Sequence, residues 1–167
     1  MITAAYCHLF ARYNRWQNSS LVAAASQLTQ AERWRDRGAF FGSIAGTLNH
    51  LYWADALILA RIEGNERPHD TIVHNLSEPA QWADFVALRA ARDRDIERWA
   101  EGLNENDLAG VVRWYPPDGS PRLEMSKSLC AAQFFNHQTH HRGQVHAMLT
   151  LAGVTPEVTD LSAMPQR

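Results

Sequence analysis

The chain has 167 residues, with 16 basic and 18 acidic side chains and a formal net charge of -2. This balance argues against the basic surface of a nucleic-acid-binding module, and no apolar run approaches the roughly 20 residues that cross a bilayer. The length suits one domain over residues 1–167. The N-terminal residues lack the pattern of a signal peptide, and two cysteines are too few for a disulfide framework, so we expect a cytoplasmic protein.

Four segments have the apolar periodicity of an amphipathic helix. The first is predicted to end near Thr29, and the second to cover about residues 42–63, just before a glycine that is typical of a helix C-terminus. The third is predicted to begin at Ser77, a favourable N-cap, and the fourth to cover about residues 126–152. The second segment is apolar almost all round, so we expect it to be buried on several sides.

Two short β-prone segments lie between the third and fourth helices. Residues 111–115 and 122–125 flank the pair Asp118 and Gly119, which is typical of a hairpin turn. The neighbouring prolines restrict such a hairpin to an edge. The sequence therefore predicts an all-α four-helix bundle with long connections at residues 65–76 and 104–125 and a short β-hairpin between helices three and four.

The placement of the eight histidines indicates a metal site. On a helical wheel, His137 and His141 lie one turn apart in the apolar stripe of the fourth helix, the spacing with which a helix chelates a metal. His50 shares its face of the second helix with Gly46 and Ala54, which leave room for a close helix approach or a bound molecule.

A lone histidine on an apolar face is more often a hydrogen-bonded core residue than a metal ligand. Three buried imidazoles without a shared partner, however, would leave ring nitrogens unsatisfied at about 1–3 kcal/mol each. A metal would satisfy His50, His137 and His141 together. Zinc sites with three protein ligands usually keep a fourth position for water or substrate, and nickel suits imidazole similarly.

Several other polar residues have alternative roles. His140 lies about 60° from the stripe and is either an alternative ligand or a neighbour of the ligands. Gln144 either hydrogen-bonds a metal-bound ligand or is a polar residue at the helix seam. Arg142 and Asp55 are expected to stabilise the bundle through ion pairs. The remaining histidines, on the surface or in a polar loop, have no predicted role: His8, His69, His74 and His146.

Other familiar metal and catalytic motifs are absent from the sequence. Residues 137–141 have the spacing of the zincin motif, but Gln138 replaces the glutamate base, which argues against peptide hydrolysis by that route. The only Glu-x-x-His segment, residues 66–69, contains a proline, so a di-iron bundle is not supported. No glycine-rich phosphate loop is present, and Cys130 is predicted to be a small core residue.

Three segments resemble the DinB/YfiT-like family, the damage-inducible helical proteins that are distinct from the DNA polymerase of the same name. They are Tyr-Asn-Arg-Trp at residues 13–16, Asn-His-Leu-Tyr-Trp-Ala-Asp at residues 49–55 and Asn-His-Gln-Thr-His-His-Arg-Gly-Gln-Val at residues 136–145. The resemblance covers nearly the whole chain and implies an up-down-down-up bundle, frequently a homodimer. It also implies a divalent metal held by three histidines, which map onto His50, His137 and His141.

The resemblance offers several functions for this site. Relatives include thiol-dependent enzymes that use bacillithiol, mycothiol or glutathione, which suggests a metal-dependent S-transferase with zinc or nickel and a low-molecular-weight thiol. A hydrolase that activates water at the same metal is the alternative. A stress-response protein that binds metal or a small ligand without turnover, or a bundle in which the histidines merely pack, are further possibilities. No catalytic residue is assigned, and the expected partners are a second copy and a small-molecule substrate.

Overall fold

A computed structural model describes residues 2–65, 81–116 and 119–166 of the chain. In this part of the chain the fold is helical apart from one small hairpin, which confirms the predicted fold class. The helices are α1 (Ala4–Ser26), α2 (Gln30–Trp34), α3 (Ile44–Glu63), α4 (Trp82–Glu101) and α5 (Lys127–Leu151), with 3-10 turns at Glu105–Leu108 and Leu161–Ala163. Strands β1 (Val111–Trp114) and β2 (Leu123–Ser126) pair antiparallel, with Val111 opposite Ser126.

The helix ends follow local capping chemistry. Ser126 caps α5 by accepting a hydrogen bond from the amide of Leu129 at 3.3 Å. Gly64 ends α3 in the left-handed conformation, with φ of 75°, which a residue with a side chain adopts at a cost. The described part of α4 begins at Trp82, and the predicted cap Ser77 lies outside the described residues. The short helix α2 was not predicted.

The four long helices form a ring in the order α1, α4, α3, α5, and their contacts give their directions. Helix α1 is antiparallel to α4, α3 is parallel to α4, and α5 is parallel to α1, so the topology is up-down-down-up, as the resemblance implied. The contacts that show these directions are Arg15–Glu97 and Asn18–Asp93, Tyr52–Phe85 and Asp55–Arg89, and Phe10–Phe135 and Tyr13–Arg142. None of the described helices combines the length and apolarity that a membrane span requires.

Two apolar clusters occupy the two ends of the bundle, and a polar layer separates them. One cluster contains Phe134 and Phe135, and the other contains Phe85 and Leu149. The layer between them consists of buried polar residues from all four long helices. Its main members are Asn14, Asn18, Asn49, His50, Asp55, Arg89, Asp93, Gln138, His141 and Arg142.

An ion-pair network in this layer ties the long helices together. Arg89 of α4 donates to Asp55 of α3 at 2.7 Å and to Asp93, one turn away on its own helix, at 2.8 Å. Gln138 of α5 donates to the other oxygen of Asp55 at 2.7 Å. The predicted ion-pair role of Asp55 is therefore confirmed, with Arg89 as its partner. Arg142, the other residue expected to form an ion pair, has none among the described residues.

Candidate metal centre

Three imidazole rings from α3 and α5 converge at one edge of the polar layer. Each of His50, His137 and His141 offers one ring nitrogen, and these nitrogens all lie within 4.8 Å of one another. The Nε2 atoms of His50 and His137 are 3.1 Å apart. The structure therefore brings together the three histidines that the sequence analysis selected.

The segment before α3 forms one wall of this cluster. The ring of Phe41 stacks on His50, with a centroid distance of 3.8 Å and an interplanar angle of 20°. It also meets the ring of His141 edge-on, with a centroid distance of 5.4 Å. Stacking at this distance holds the His50 ring in one orientation and covers one of its faces.

The close approach of this segment depends on Gly46. A Cβ atom at Gly46 would overlap the backbone carbonyl of Phe41. The space predicted beside His50 is therefore filled by the Phe41 backbone and not by another helix. Sequence reasoning missed Phe41 because residues 35–43 have no helical period. The available signal was an aromatic pair, Phe40 and Phe41, immediately before a glycine and a serine cap.

Gln144 fixes the orientation of His141. Its Oε1 lies 2.7 Å from Nδ1 of His141. Because an amide oxygen only accepts hydrogen bonds, Nδ1 of His141 carries the proton and Nε2 presents a lone pair. The amide nitrogen of Gln144 lies 3.3 Å from Nε2 of His140, which must act as the acceptor. This is the arrangement that orients metal-ligating histidines in proteins.

The remaining predicted residues lie outside the cluster of three. His140 is exposed, and its ring lies beside His141, with centroids 4.8 Å apart. It contacts Gln144 but is not part of the converging group. His146 lies on the opposite face of α5, as the helical wheel predicts. His69 and His74 are outside the described residues.

Burial keeps the three imidazoles neutral. Desolvation is the main cause that lowers the pKa of His50 to about 3, and the neighbouring His141 and His137 lower it further. Desolvation, followed by His141, lowers the pKa of His137 to about 4, against an opposing effect of Asp55. The pKa of His141 is also lowered by desolvation, which the hydrogen bond with Gln144 opposes. Neutral imidazole is the form that binds a metal.

The donor set fits a divalent transition metal. Three neutral nitrogens suit zinc or nickel, and three protein ligands leave room for a further group. Only His141 has its second ring nitrogen held by a side chain. Within the described ranges, Nδ1 of His50 and Nδ1 of His137 are buried without a hydrogen-bond partner, and the stacking on Phe41 is the contact that orients His50.

Comparison with known proteins identifies the family. A sequence model of the DinB family matches residues 1–167. The chain belongs to the DinB family. It is also similar to Protein DinB of Bacillus subtilis (strain 168), with 23% identity over 149 residues that cover 89% of this chain and 87% of that protein. The predicted family is therefore confirmed, and the histidine cluster of this DinB family member is compatible with metal binding.

Neither cysteine of this DinB family member is an activated thiol. Cys7 and Cys130 are both buried in the apolar cluster around Phe134. Desolvation raises the pKa of Cys7 to about 11 and also raises that of Cys130. A thiol with a raised pKa is mostly protonated at neutral pH and is a poor nucleophile. Cys130 is thus a core residue, as predicted.

Proposed function

We propose that this DinB family member binds one divalent metal ion through His50, His137 and His141 and uses it in a reaction of a small thiol. The observation that carries the proposal is the convergence of three neutral ring nitrogens within 4.8 Å. Zinc is the first candidate and nickel the second, because both prefer nitrogen donors and both tolerate an incomplete set of protein ligands.

The absence of an activated cysteine among the described residues supports a nucleophile that arrives with a cosubstrate. Cys7 and Cys130 are the chain's two cysteines, and both are buried with raised pKa values. A divalent ion at the histidine cluster would favour the deprotonated form of an incoming thiol. We therefore place the protein among thiol-dependent S-transferases. The homodimer, the cytoplasmic location and the stress-response role implied by the resemblance stay predictions.

The chain's own residues have defined tasks in this proposal. Gln144 holds the proton on Nδ1 of His141 and so keeps Nε2 free to bind. Phe41 covers one face of His50 and excludes water from that side of the cluster. The three histidines bind and remain neutral because they are desolvated.

Metal binding is tested by titration of the chelator-treated protein with zinc and with nickel in a calorimeter. We expect one equivalent to bind to the wild type and His141→Ala to lose stoichiometric binding. His146→Ala is the matched control, because it makes the same change one and a half turns along the same helix on the opposite face. No binding to the wild type, or equal loss in both variants, would contradict the ligand assignment.

The reaction is tested with the zinc-loaded protein, glutathione or another low-molecular-weight thiol, and 1-chloro-2,4-dinitrobenzene. In the expected transfer, the thiol sulfur bonds to the ring carbon, chloride leaves, and the thiol proton passes to the solvent. Turnover should disappear in His141→Ala and persist in His146→Ala. Ester hydrolysis without thiol transfer would favour the hydrolase alternative, and binding without any turnover would favour a non-catalytic metal-binding protein.

A further inference from the structure

A second cavity lies on the far side of α5 from the histidine cluster. It has a volume of about 330 Å³ and is bounded by α1, α5 and the segment that follows α5. Thr139, Arg142 and His146 are the α5 residues with polar side chains that line it. These positions are about 100–180° around the helix from the predicted ligands His137 and His141. The cavity is therefore separate from the candidate metal centre.

Hydrogen bonds to α1 hold the outer wall of this cavity in place. The hydroxyl of Tyr13 donates to the backbone carbonyl of Thr159 at 2.7 Å. The amide nitrogen of Gln17 donates to the carbonyl of Val158 at 2.9 Å. Tyr13, Gln17 and Thr159 all line the cavity. The wall is thus formed in the folded chain and does not need a ligand to assemble it.

A buried arginine with unused hydrogen-bonding capacity lines the cavity. Arg142 is 5% exposed, and its Nη2 donates to the hydroxyl of Thr139 at 3.3 Å. Its Nη1 is buried and has no hydrogen-bond partner in the part of the chain that the structure describes. The guanidinium lies 5.4 Å from the centroid of the Tyr13 ring, so the ring covers one face of the guanidinium. Among the described residues, no carboxylate lies within ion-pair distance of Arg142.

This arginine keeps its charge. An arginine guanidinium remains protonated in proteins, so the side chain is a cation at neutral pH. A buried cation without a hydrogen-bonded anion is unfavourable, because desolvation is not offset by contacts. Arg89, buried in the same layer, differs in having two carboxylates within 2.8 Å.

We propose that this cavity binds a small organic carboxylate, with the carboxylate on Arg142 and an apolar body against Leu21 and Ala147. A planar guanidinium matches a carboxylate in shape, and its single positive charge matches a monoanion. His146 and Thr159 line the same cavity and would offer further polar contacts. The volume is at the lower end of small-molecule sites. This site does not rest on the proposed function of the metal centre.

The test is calorimetric titration of the full chain with benzoate and hexanoate, with benzamide and inorganic phosphate as controls for charge and for anion type. We expect the carboxylates to bind and the two controls to bind at least about tenfold more weakly, since a charge-assisted hydrogen bond contributes about that factor. Arg142→Met should weaken carboxylate binding to a similar extent.

Gly143 offers a second test that leaves the arginine intact. A Cβ atom there meets no other atom within 4 Å, and Gly143 lines the cavity. Gly143→Phe should therefore fill the cavity and abolish carboxylate binding, whereas Gly143→Ala, the matched control, should retain it. His50→Ala should also retain it, which separates this site from an anion bound at the metal centre.

Five outcomes would overturn the proposal. They are no carboxylate binding at millimolar concentration, equal binding of benzoate and benzamide, preference for phosphate, and carboxylate binding that survives Gly143→Phe or disappears in His50→Ala. Each result would show that the ligand class or the location is wrong, whether or not the histidine cluster binds metal.

Discussion

Two buried polar groups share the middle layer of the bundle but differ in how their hydrogen bonds are satisfied. In the Arg89 network, both oxygens of Asp55 accept hydrogen bonds, and Asp93 accepts from Arg89 and from Asn18. In the histidine cluster, Nε2 of His50 faces Nε2 of His137 at 3.1 Å, and Nδ1 of both rings has no hydrogen-bond partner among the described residues. The carboxylates of the first group are thus paired with a cation inside the protein, although Nε of Arg89 and Oε1 of Gln138 have no partner in the described part of the chain. The second group instead has facing Nε2 atoms that an external ligand could bind.

This difference separates a structural role from a binding role. Charged groups in the network offset each other's desolvation, so the network joins α1, α3, α4 and α5 at fixed positions. The histidines are also desolvated, but they avoid the cost of burying a charge because they remain neutral. Their neutral nitrogens are also good metal donors. Changes in the network should therefore alter stability, and changes in the cluster should alter metal binding.

The largest expected effect on stability comes from Arg89→Met. It removes the cation that faces Asp55 and Asp93 and leaves two buried carboxylates uncompensated. We expect the free energy of unfolding to fall by about 3–5 kcal/mol in urea denaturation at pH 7. Zinc stoichiometry of the fraction that remains folded should be unchanged. A loss of metal binding by folded Arg89→Met would show that the two groups are not separable.

Gln144→Ala should give the next largest effect, on metal affinity and not on stoichiometry. Removing the acceptor for Nδ1 of His141 frees the ring to rotate and to change tautomer. Loss of such a partner lowers metal affinity by about 10–100-fold in other proteins. Competition with a chromophoric chelator measures the affinity. Gln144→Glu keeps an acceptor and should restore most of it, whereas equal losses in both variants would argue against this positioning role.

A pH effect on the metal-free protein should be smaller and specific to the cluster. The folded pKa of His50, about 3, lies below the unfolded value near 6.5, so the unfolded state binds more protons between these values. Stability should therefore fall as the pH decreases from about 6.5 towards 3. Urea denaturation with chelator present measures this slope, which should be shallower in His50→Gln. Equal slopes in wild type and variant would contradict the buried, neutral state of His50.

The smallest expected effect is that of Phe41→Leu. Leucine still covers His50 but cannot stack on it, so the ring becomes less well oriented. We expect zinc affinity to fall less than in Gln144→Ala, with the unfolding free energy changed by about 1 kcal/mol. The same chelator competition measures the zinc affinity. A larger loss in Phe41→Leu than in Gln144→Ala would show that stacking, and not the hydrogen bond, dominates the orientation of the cluster.

The sequence was sufficient for the parts of this account that depend on helical geometry. The spacing of His137 and His141 follows from the helical repeat, and Ser126 and Gly64 mark helix ends through local capping. The choice of His50 rested on the small residues beside it on α3, and the family resemblance then mapped a metal onto the same three histidines. Each of these features is encoded within one or two turns of a helix.

The remaining features depend on contacts between distant segments. Phe41 reaches His50 through a turn without periodicity, and only the overlap with a Cβ at Gly46 reveals how close it comes. The partner of Asp55 is Arg89, which depends on the register between α3 and α4 and not on sequence spacing. Arg142 likewise has no ion-pair partner among the described residues, which the helical wheel of α5 alone could not predict.

The most direct test of the central claim is the zinc K-edge X-ray absorption spectrum of the protein loaded with one equivalent of zinc. We expect a first coordination shell with three imidazole nitrogens at about 2.0–2.1 Å and the multiple scattering of the rings. His141→Ala should lose part of this imidazole signal, and His146→Ala should retain all of it. A shell dominated by sulfur at about 2.3 Å, or by oxygen without imidazole scattering, would contradict the account.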